Sequence, residues 1–332
     1  MRTMKSITIF RWSLLLAIAL LPYAAFAQHK VVYQDKLGQK VEFVPPVHRA
    51  VVMQLYEFLP ALHCWNQVAG IGRYAYQNDL MRQVKPDIEK SIPSVGSGTD
   101  LNAEALLKLK PDMVITWTFK PENAKYMREH GIKVIAVYPD SIGELYDVTH
   151  LLGTVFHREK EAAFTLQQMD GIFNMVRSRT NSIPVNQRKK VLWIGGRQNT
   201  VAGGGGMTDN LLNLVGGRNV AGGITQRNAD VSIETIIGWN PDVIFIWGNA
   251  KYSARDIMSS PQWQHVKAVR NRQVYKAPEW STWSPRLAPV SLWMAMKLYP
   301  ERYQGINLYS VADSFDRKVF GVPLGTAGAG AF

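Results

Sequence analysis

One segment of the chain occurs twice, at a constant offset of 130 positions. Residues 101–117 read LNAEALLKLKPDMVITW, and residues 231–247 read VSIETIIGWNPDVIFIW. Identical residues at matched positions are Glu104 and Glu234, Pro111 and Pro241, Asp112 and Asp242, and Trp117 and Trp247. Each copy predicts a short helix capped by Asn102 or Ser232, a Pro-Asp turn and a buried strand. So long an ungapped match indicates a duplicated unit, and therefore two similar lobes.

A long helix is predicted between the two copies, over residues 158–181. Apolar residues recur there in steps of four and three, at Ala162, Leu166, Met169, Phe173 and Val176. This is the stripe of a helix that packs along one side. At about 1.5 Å per residue the helix would span roughly 36 Å, the width of a domain. We therefore predict that it bridges the two lobes.

Strands and helices alternate on both sides of this helix. The strands are almost continuously apolar, which is typical of parallel sheets covered by helices on both faces. The predicted fold class is α/β, with two lobes that have mostly parallel central sheets flanked by helices and are bridged by a single long α-helix. The predicted domains are a signal peptide (1–27), an N-terminal lobe (28–157), the bridging helix (158–181) and a C-terminal lobe (182–332).

The N-terminus has the pattern of an export signal. Basic residues Arg2, Lys5 and Arg11 precede an apolar run, and Ala25-Phe26-Ala27 gives the small-x-small pattern of a cleavage site. The apolar run is too short to span a bilayer comfortably. We therefore predict cleavage after Ala27 and a periplasmic location.

Composition restricts the partners. The formal net charge is +12, and it falls to +9 without the three basic residues of the leader, so an anionic partner is favoured. The cations are dispersed along the sequence and the chain is exported, so nucleic acid is not expected.

Cys64 is the only cysteine and the seven histidines lack ligand-like spacing. The sequence therefore predicts neither a metal site of its own nor a cofactor.

Signatures of catalysis are missing from the sequence. It contains no nucleophile elbow, no paired carboxylates in a polar motif and no cofactor fingerprint. The Gly203–Gly206 loop is not followed by Lys-Ser or Lys-Thr, so we interpret it as a turn into a helix rather than a phosphate loop. We predict a binding protein and not an enzyme; an exported enzyme is the remote alternative.

With these features the chain resembles the periplasmic substrate-binding proteins of ABC importers for siderophores, haem and cobalamin, the class in which one long helix bridges two lobes. The resemblance covers the whole mature chain. Besides the two repeats it rests on AGGGGMTDNLLNLVGGRNVAGG at 202–223 and EWSTWSPR at 279–286. It implies a monomer whose Glu104 and Glu234 dock onto arginines of an inner-membrane permease dimer, which a cytoplasmic ATPase powers.

The ligand site is expected between the lobes, because ligands of open parallel sheets lie beyond the carboxyl ends of the strands. The predicted ligand-binding residues are Tyr56, Tyr74, Trp117, Arg197, Arg227, Trp280 and Trp283. Five of them, Tyr74, Arg197, Arg227, Trp280 and Trp283, are chosen because loops place side chains at the surface. Trp117 directly ends a strand, so it fits the core equally well. Arg286, in the SPR motif, fits a structural salt bridge.

Aromatic faces beside guanidinium groups suit a planar or chelated anion. The predicted ligand is therefore a metal chelate, first of all a ferric siderophore. A small oxyanion such as molybdate or tungstate remains an alternative, because class relatives bind such anions. Haem and cobalamin are further alternatives.

Overall fold

The computed structural model describes residues 30–325. The predicted signal peptide lies outside the described residues, so its cleavage stays a prediction. Within residues 30–325 no helix is both long enough and apolar enough to cross a bilayer.

The first lobe is built on a four-stranded parallel sheet. Its strands, together with those of an N-terminal hairpin, are β1 (Val31–Gln34), β2 (Lys40–Phe43), β3 (Ala50–Val52), β4 (Val68–Ile71), β5 (Met113–Trp117) and β6 (Lys133–Val137). The sheet has the order β4-β3-β5-β6, and β1 pairs with β2 in an antiparallel hairpin. Val114 and Ile115, which are neighbours in β5, are buried in different apolar clusters. Both faces of the sheet are therefore covered, as predicted.

Short helices surround this sheet. They are α1 (Phe58–Ala61), α2 (Asp79–Val84), α3 (Ile88–Ser91), α4 (Ala103–Leu109), α5 (Pro121–Glu129) and α6 (Ile142–Phe156), with 3-10 turns at Trp65–Gln67 and Arg73–Gln77. The longest is α6, which begins after Ser141, whose hydroxyl accepts from the Glu144 backbone N–H at 3.1 Å. This is an N-cap of the kind that serine provides.

The bridging helix α7 runs over Glu159–Thr180, so the predicted 158–181 helix is confirmed to within one residue at each end. The five predicted apolar positions are all buried. They pack α7 against α6, against α8 (Met207–Leu214) and, near the C-terminus, against α12 (Leu287–Leu298) and α13 (Leu308–Phe320). One such side chain, Phe173, contributes about 1.5–3 kcal/mol when fully buried. The helix is thus held along its length by elements from both halves of the chain.

The second lobe has a mixed sheet with a parallel centre. Its strands are β7 (Lys190–Ile194), β8 (Thr200–Ala202), β9 (Arg218–Asn219), β10 (Asn228–Asp230), β11 (Val243–Ile246) and β12 (Val274–Lys276). The order is β10-β8-β7-β11-β12, with β9 also pairing with β7. Strands β7, β9, β11 and β12 are parallel, whereas β8 and β10 are antiparallel. The remaining helices are α9 (Ile233–Trp239), α10 (Ala254–Ser259) and α11 (Lys267–Arg270), with 3-10 turns at Val185–Gln187, Pro261–Trp263 and Pro300–Tyr303.

The sequence repeat is also a structural repeat. Helices α4 and α9 each contain seven residues and start at the same offset of 130 positions. The caps Asn102 and Ser232 accept backbone N–H groups at 3.0 and 3.2 Å. Both helices end in a left-handed residue, Lys110 at φ 45° and Asn240 at φ 46°. The duplicated unit therefore folds alike in both lobes.

The two matched aspartates explain why the turn after each helix recurs. Asp112 accepts the Arg49 backbone N–H at 3.0 Å, just before β3, and Asp242 accepts the Lys190 backbone N–H at 2.8 Å, where β7 begins. In each lobe the carboxylate fixes the start of the neighbouring central strand. These contacts set the strand register that positions the carboxyl ends of both sheets.

The C-terminal segment returns to the first lobe. Helix α13 packs on α7, on α12 and on α1. Gln83 donates to the Pro323 carbonyl at 2.9 Å. Residues beyond 286 thus add to the contacts between the halves of the chain, and the boundaries 157/158 and 181/182 remain a proposal for the domains.

Candidate functional site

The two lobes touch where their parallel strands end. Pro139, Asp140 and Ile142 follow β6 in the first lobe. Trp283 donates its indole N–H to the Pro139 carbonyl at 2.8 Å, and the Ile142 N–H donates to Asn210 Oδ1 at 3.0 Å. The loops in which the site is predicted therefore meet at a surface that both lobes share.

An aromatic cluster, defined here as Trp117, Phe119, Tyr138 and Trp283, fills this surface. Its ring centroids are 5.2 Å apart for Trp117 and Tyr138, 5.6 Å for Trp117 and Trp283, and 5.2 Å for Tyr138 and Trp283. Phe119 lies edge-on to Tyr138 at 4.8 Å and is 50% exposed. Trp117 is buried, so it forms the floor of the cluster, whereas Phe119 faces solvent.

Arg227 reaches this cluster from the second lobe. Its guanidinium carbon lies 4.5 Å from the centroid of the Tyr138 ring, a cation–π distance. Nε and Nη2 also donate to Asp140 at 2.5 and 2.7 Å. The hydrogen bond that Arg227 donates to Asp140 raises the pKa of Arg227. Burial raises the pKa of Tyr138 to about 12 despite the opposing charge of Arg227. Tyr138 is therefore a neutral phenol beside a permanent cation.

Two further predicted residues, Tyr56 and Tyr74, lie in the first lobe. Tyr74 is 46% exposed and packs under Arg73, whose guanidinium carbon is 5.3 Å from its ring centroid. Arg73 is itself paired with Asp100 at 2.6 Å. Burial, followed by the charge of Glu57, raises the pKa of Tyr56. Tyr74 is thus more available to a ligand than Tyr56, which is half-buried.

Trp280 lies in the core, so the expectation that its loop places it at the surface is wrong. Its side chain is 3% exposed, and the Arg286 guanidinium lies 5.1 Å from its ring. Arg286 is fully buried between Glu57, at 3.0 and 3.1 Å, and Asp79, at 2.7 and 3.0 Å. Burial lowers the pKa of Arg286, but the two carboxylates raise it by more, so the guanidinium stays charged. These ion pairs draw the 280–286 loop into the first lobe, and the salt bridge expected for Arg286 is confirmed.

Arg197 belongs to a different group of contacts. It follows β7, is mostly exposed, and donates to Asp230 at 2.5 Å and to Thr200 Oγ1 at 3.3 Å. Trp247, which ends the matching segment of the repeat, is 38% exposed. A Cβ on Gly196 would lie 3.8 Å from the Trp247 ring. Arg197 and Trp247 therefore mark the second-lobe edge of the site, apart from the aromatic cluster.

Three residues of this site were not among the predicted ligand-binding set. Phe119 and Asp140 lie two or three positions beyond strand ends, and Tyr138 directly follows β6. The signal that could have found all three is the rule already applied, that ligand residues follow the carboxyl ends of strands. Extending it by three positions after every central strand would have included them.

The glycine-rich loop serves packing. A Cβ on Gly203, Gly204 or Gly205 would lie 2.2, 2.3 or 2.2 Å from a backbone oxygen of residues 222–226. The loop must therefore be free of side chains to lie against that segment. This agrees with its interpretation as a turn into α8.

The two predicted docking residues occupy equivalent places. Glu104 and Glu234 are exposed in the first turns of α4 and α9. A backbone hydrogen bond and the Ser232 hydroxyl lower the pKa of Glu234. Helix α4 leads to the start of β5, and α9 leads to the start of β11. Each helix therefore begins near the opposite edge of its sheet, where the parallel strands end.

Metal-binding side chains do not gather in the described part of the chain, where no group of three or more His, Cys, Asp or Glu residues could hold an ion. Cys64 is buried, and burial raises the pKa of its thiol to about 12. It is therefore a protonated core residue rather than a thiolate ligand.

Comparison with known proteins covers most of the chain. A family model described as periplasmic binding protein matches residues 54–279. The molybdate-binding protein MolA of Haemophilus influenzae is 24% identical over 93% of this chain and 96% of its own length. The high-affinity haem uptake protein IsdE of Staphylococcus aureus is 26% identical over 58% of this chain and 69% of its own.

Solved structures share the architecture. CeuE of Helicobacter pylori with Ni(II) bound has a TM-score of 0.80 at 25% identity, covering 91% of this chain and 100% of that one. MolA bound to molybdate has a TM-score of 0.78 at 22% identity, covering 89% and 99%. The named ligands of these proteins differ, so the similarities indicate the fold and class but not the ligand. Since the family model spans more than half of the sequence and α7 joins two sheets of the expected kind, the chain belongs to the periplasmic binding protein family, in the class of ABC-importer binding proteins whose two lobes are bridged by one long helix.

Proposed function

We propose that this protein captures an anionic metal chelate, of the ferric siderophore type, between its lobes and delivers it to an inner-membrane permease. The observation that carries the proposal is the position of Arg227 on the face of Tyr138, within the aromatic cluster and between the lobes. A guanidinium can donate a fork of hydrogen bonds to carboxylate or catecholate oxygens. The neighbouring rings cover the planar, apolar parts of such a ligand.

The size of the exposed aromatic surface supports a chelate over a small oxyanion. Tyr74, Phe119 and Trp247 are each between 38% and 50% exposed. A small oxyanion needs converging hydrogen-bond donors but little apolar surface. A chelate with aromatic groups needs hydrogen-bond donors and an extended apolar surface. Three large exposed rings, in addition to the Arg227 cation, fit the larger ligand better.

Within this proposal the predicted ligand-binding residues have different roles. Trp117, Trp283 and Arg227 contact the ligand at the centre, and Tyr74 contacts it from the first lobe. Arg197 contributes a cation at the edge of the second lobe. Trp280 supports the wall from behind, because its side chain is buried. Tyr56 is half-buried and contributes to the wall from the first lobe.

Delivery uses the repeated helices. Glu104 and Glu234 extend from matched positions in the two lobes, so one permease dimer with two equivalent basic sites can engage both. The loaded protein docks as a monomer from the periplasm, and a cytoplasmic ATPase powers release. The family consists of transport binding proteins rather than enzymes.

Molybdate is the second candidate, because a molybdate-binding relative aligns over 93% of this chain. Its oxygens would accept from Arg227 once Asp140 is displaced. Haem has the support of a haem uptake relative that aligns over a shorter span, 58% of this chain, and cobalamin is the remaining alternative.

The ligand class is tested by tryptophan fluorescence. Purified protein is titrated with ferric tris-catecholate and, separately, with sodium molybdate. Because Trp117 and Trp283 border the site, we expect strong quenching by the chelate, with a dissociation constant near or below about 1 μM. Saturable binding of molybdate together with no response to the chelate would contradict the proposal.

A further inference from the structure

A groove of about 900 Å³ lies in the second lobe, away from the aromatic cluster. It is formed where β7, β11 and β12 begin and where α12 ends. Since these strands are parallel, their amino ends lie at the sheet edge opposite to Gly196 and Trp247, which follow the carboxyl ends of β7 and β11. The groove is therefore a separate feature from the candidate site.

Cationic side chains dominate the groove lining: Arg188, Lys189, Lys190, Arg218, Lys267 and Lys297. The acid in the lining is Asp242. Its carboxylate already accepts from Lys267 Nζ at 2.7 Å and from the Lys190 backbone N–H at 2.8 Å. The lining thus keeps a surplus of positive charge that its own acid does not neutralise.

Two of these cations occupy paired positions on neighbouring strands. Lys190 of β7 is the register partner of Arg218 of β9. Neighbouring strands lie about 4.8 Å apart, and paired residues point to the same face. Two like charges held on neighbouring strands repel each other. A bound anion between them would convert this repulsion into attraction.

Several donors of the groove are also held in place. Lys189 Nζ lies 5.4 Å from the Tyr299 ring and Lys297 Nζ lies 5.3 Å from the Tyr275 ring. Arg188 Nε is buried without a hydrogen-bond partner among the described residues. A buried donor without an acceptor is costly, and a ligand oxygen would supply that acceptor. These cations therefore differ from freely solvated surface lysines.

We propose that this groove is a second ligand site, for a soluble polyanion that carries several phosphoryl groups. Phosphoryl oxygens match both the fork of arginine and the point charge of lysine. The volume lies within the roughly 300–1,000 Å³ that is usual for small-molecule sites. A concave site with half-buried donors favours a small polyanion over the flat surface of a bilayer.

Isothermal titration calorimetry with inorganic triphosphate tests the proposal at about 0.1 M salt, where charges on the surface are screened beyond roughly 10 Å. The groove variant is Lys190→Gln with Arg218→Gln, which keeps the Lys190 backbone contact to Asp242. The matched control is Lys251→Gln with Arg255→Gln, which removes two exposed cations of the same lobe outside the groove. Circular dichroism checks the fold of each, and Lys297→Gln replaces the double variant if that one unfolds.

We expect one triphosphate per chain, and we expect the groove variant to raise its dissociation constant by about tenfold or more while the control changes it little. The proposal fails if triphosphate does not bind, or if both variants weaken it equally. It also fails if the protein binds phosphatidylglycerol vesicles through the groove but ignores triphosphate, because the source would then be a membrane.

Discussion

Arg227 is the residue on which the ligand assignment depends most. It contacts the aromatic cluster and Asp140 at the same time, so an anionic ligand must compete with Asp140 for its donors. Asp140 also has Lys36 as a second partner, at 3.6 Å. Releasing Arg227 to a ligand therefore does not leave the carboxylate without a cation.

Arg227→Ala should weaken chelate binding by about 2 kcal/mol, or roughly 30-fold, because a charge-assisted pair of hydrogen bonds is lost. Fluorescence titration with ferric tris-catecholate measures the change. Arg255→Ala, an exposed arginine of the same lobe, is the control and should bind as the wild type does. Equal affinities for all three proteins would remove Arg227 from the site.

We expect Asp316 to make the stability of the fold depend on pH. Its side chain is buried, and Oδ1 has no hydrogen-bond partner among the described residues. Burial raises its pKa to about 7, with Arg286 opposing and Glu57 and Asp79 adding to the shift. In an unfolded chain the pKa of an aspartate is about 3.9. The folded state therefore holds the extra proton between these values, and stability falls as pH rises through them.

Asp316→Asn should remove this dependence. Between pH 5 and pH 8 we expect the wild type to lose about 2 kcal/mol more unfolding free energy than the variant. Urea denaturation at the two pH values measures both proteins under the same conditions, so the titration of other groups cancels. Identical pH slopes would show that Asp316 does not carry the buried proton.

At the scale of elements, α4 and α9 are the pair with a function to test. They match in length, cap and final left-handed residue. Each presents one exposed glutamate from its first turn, where the helix dipole favours an acid even without a partner. The position of a glutamate in the first turn therefore does not distinguish a docking residue from one that only stabilises its helix. A transport assay does distinguish them.

The double variant Glu104→Lys with Glu234→Lys should abolish transport and leave ligand affinity unchanged, because the glutamates lie on helices outside the aromatic cluster. Uptake of labelled ligand in cells and fluorescence titration of the purified protein give the two measurements. The control reverses one exposed acid in each half of the chain, Glu89→Lys with Glu301→Lys. Transport that survives in the first variant, or fails equally in the control, would refute docking.

Elements with a local sequence signal were predicted well. The stripe of α7 and the repeated helix-turn-strand unit are set by residues within a few turns of each other, so periodicity and caps are sufficient. The pairing of Arg227 with Asp140 joins residues 87 positions apart. It depends on how the lobes face each other, which no local pattern encodes. Trp280 was misplaced for the same reason, since the buried pairs of Arg286 draw its loop inward.

The grouping of the groove cations in space could not be predicted from the sequence either. The cations of the groove are dispersed along the sequence from Arg188 to Lys297, and no local pattern links them. Parallel pairing brings the starts of β7, β9, β11 and β12 together, and the cations come with them. Composition predicted an anionic partner but not that its cations would form a second site.

At the scale of the whole molecule, α7 and the contacts between the lobes limit motion. Contacts near the site join the lobes through Arg227, Asn210 and Trp283, and the ion pairs of Arg286 with Glu57 and Asp79 join them in the core. A continuous helix resists bending unless it contains a kink. We therefore expect ligand to rotate one lobe against the other by no more than about 20°. Matched crystal structures with and without ligand measure the angle, and a much larger closure would contradict this role of α7.

The central claim is that the protein carries a metal chelate between its lobes. The most direct measurement is native mass spectrometry, with visible absorbance, of the protein purified from its own periplasm. We predict one coloured chelate per chain, lost in Arg227→Ala. A colourless protein with the added mass of molybdate would contradict the claim.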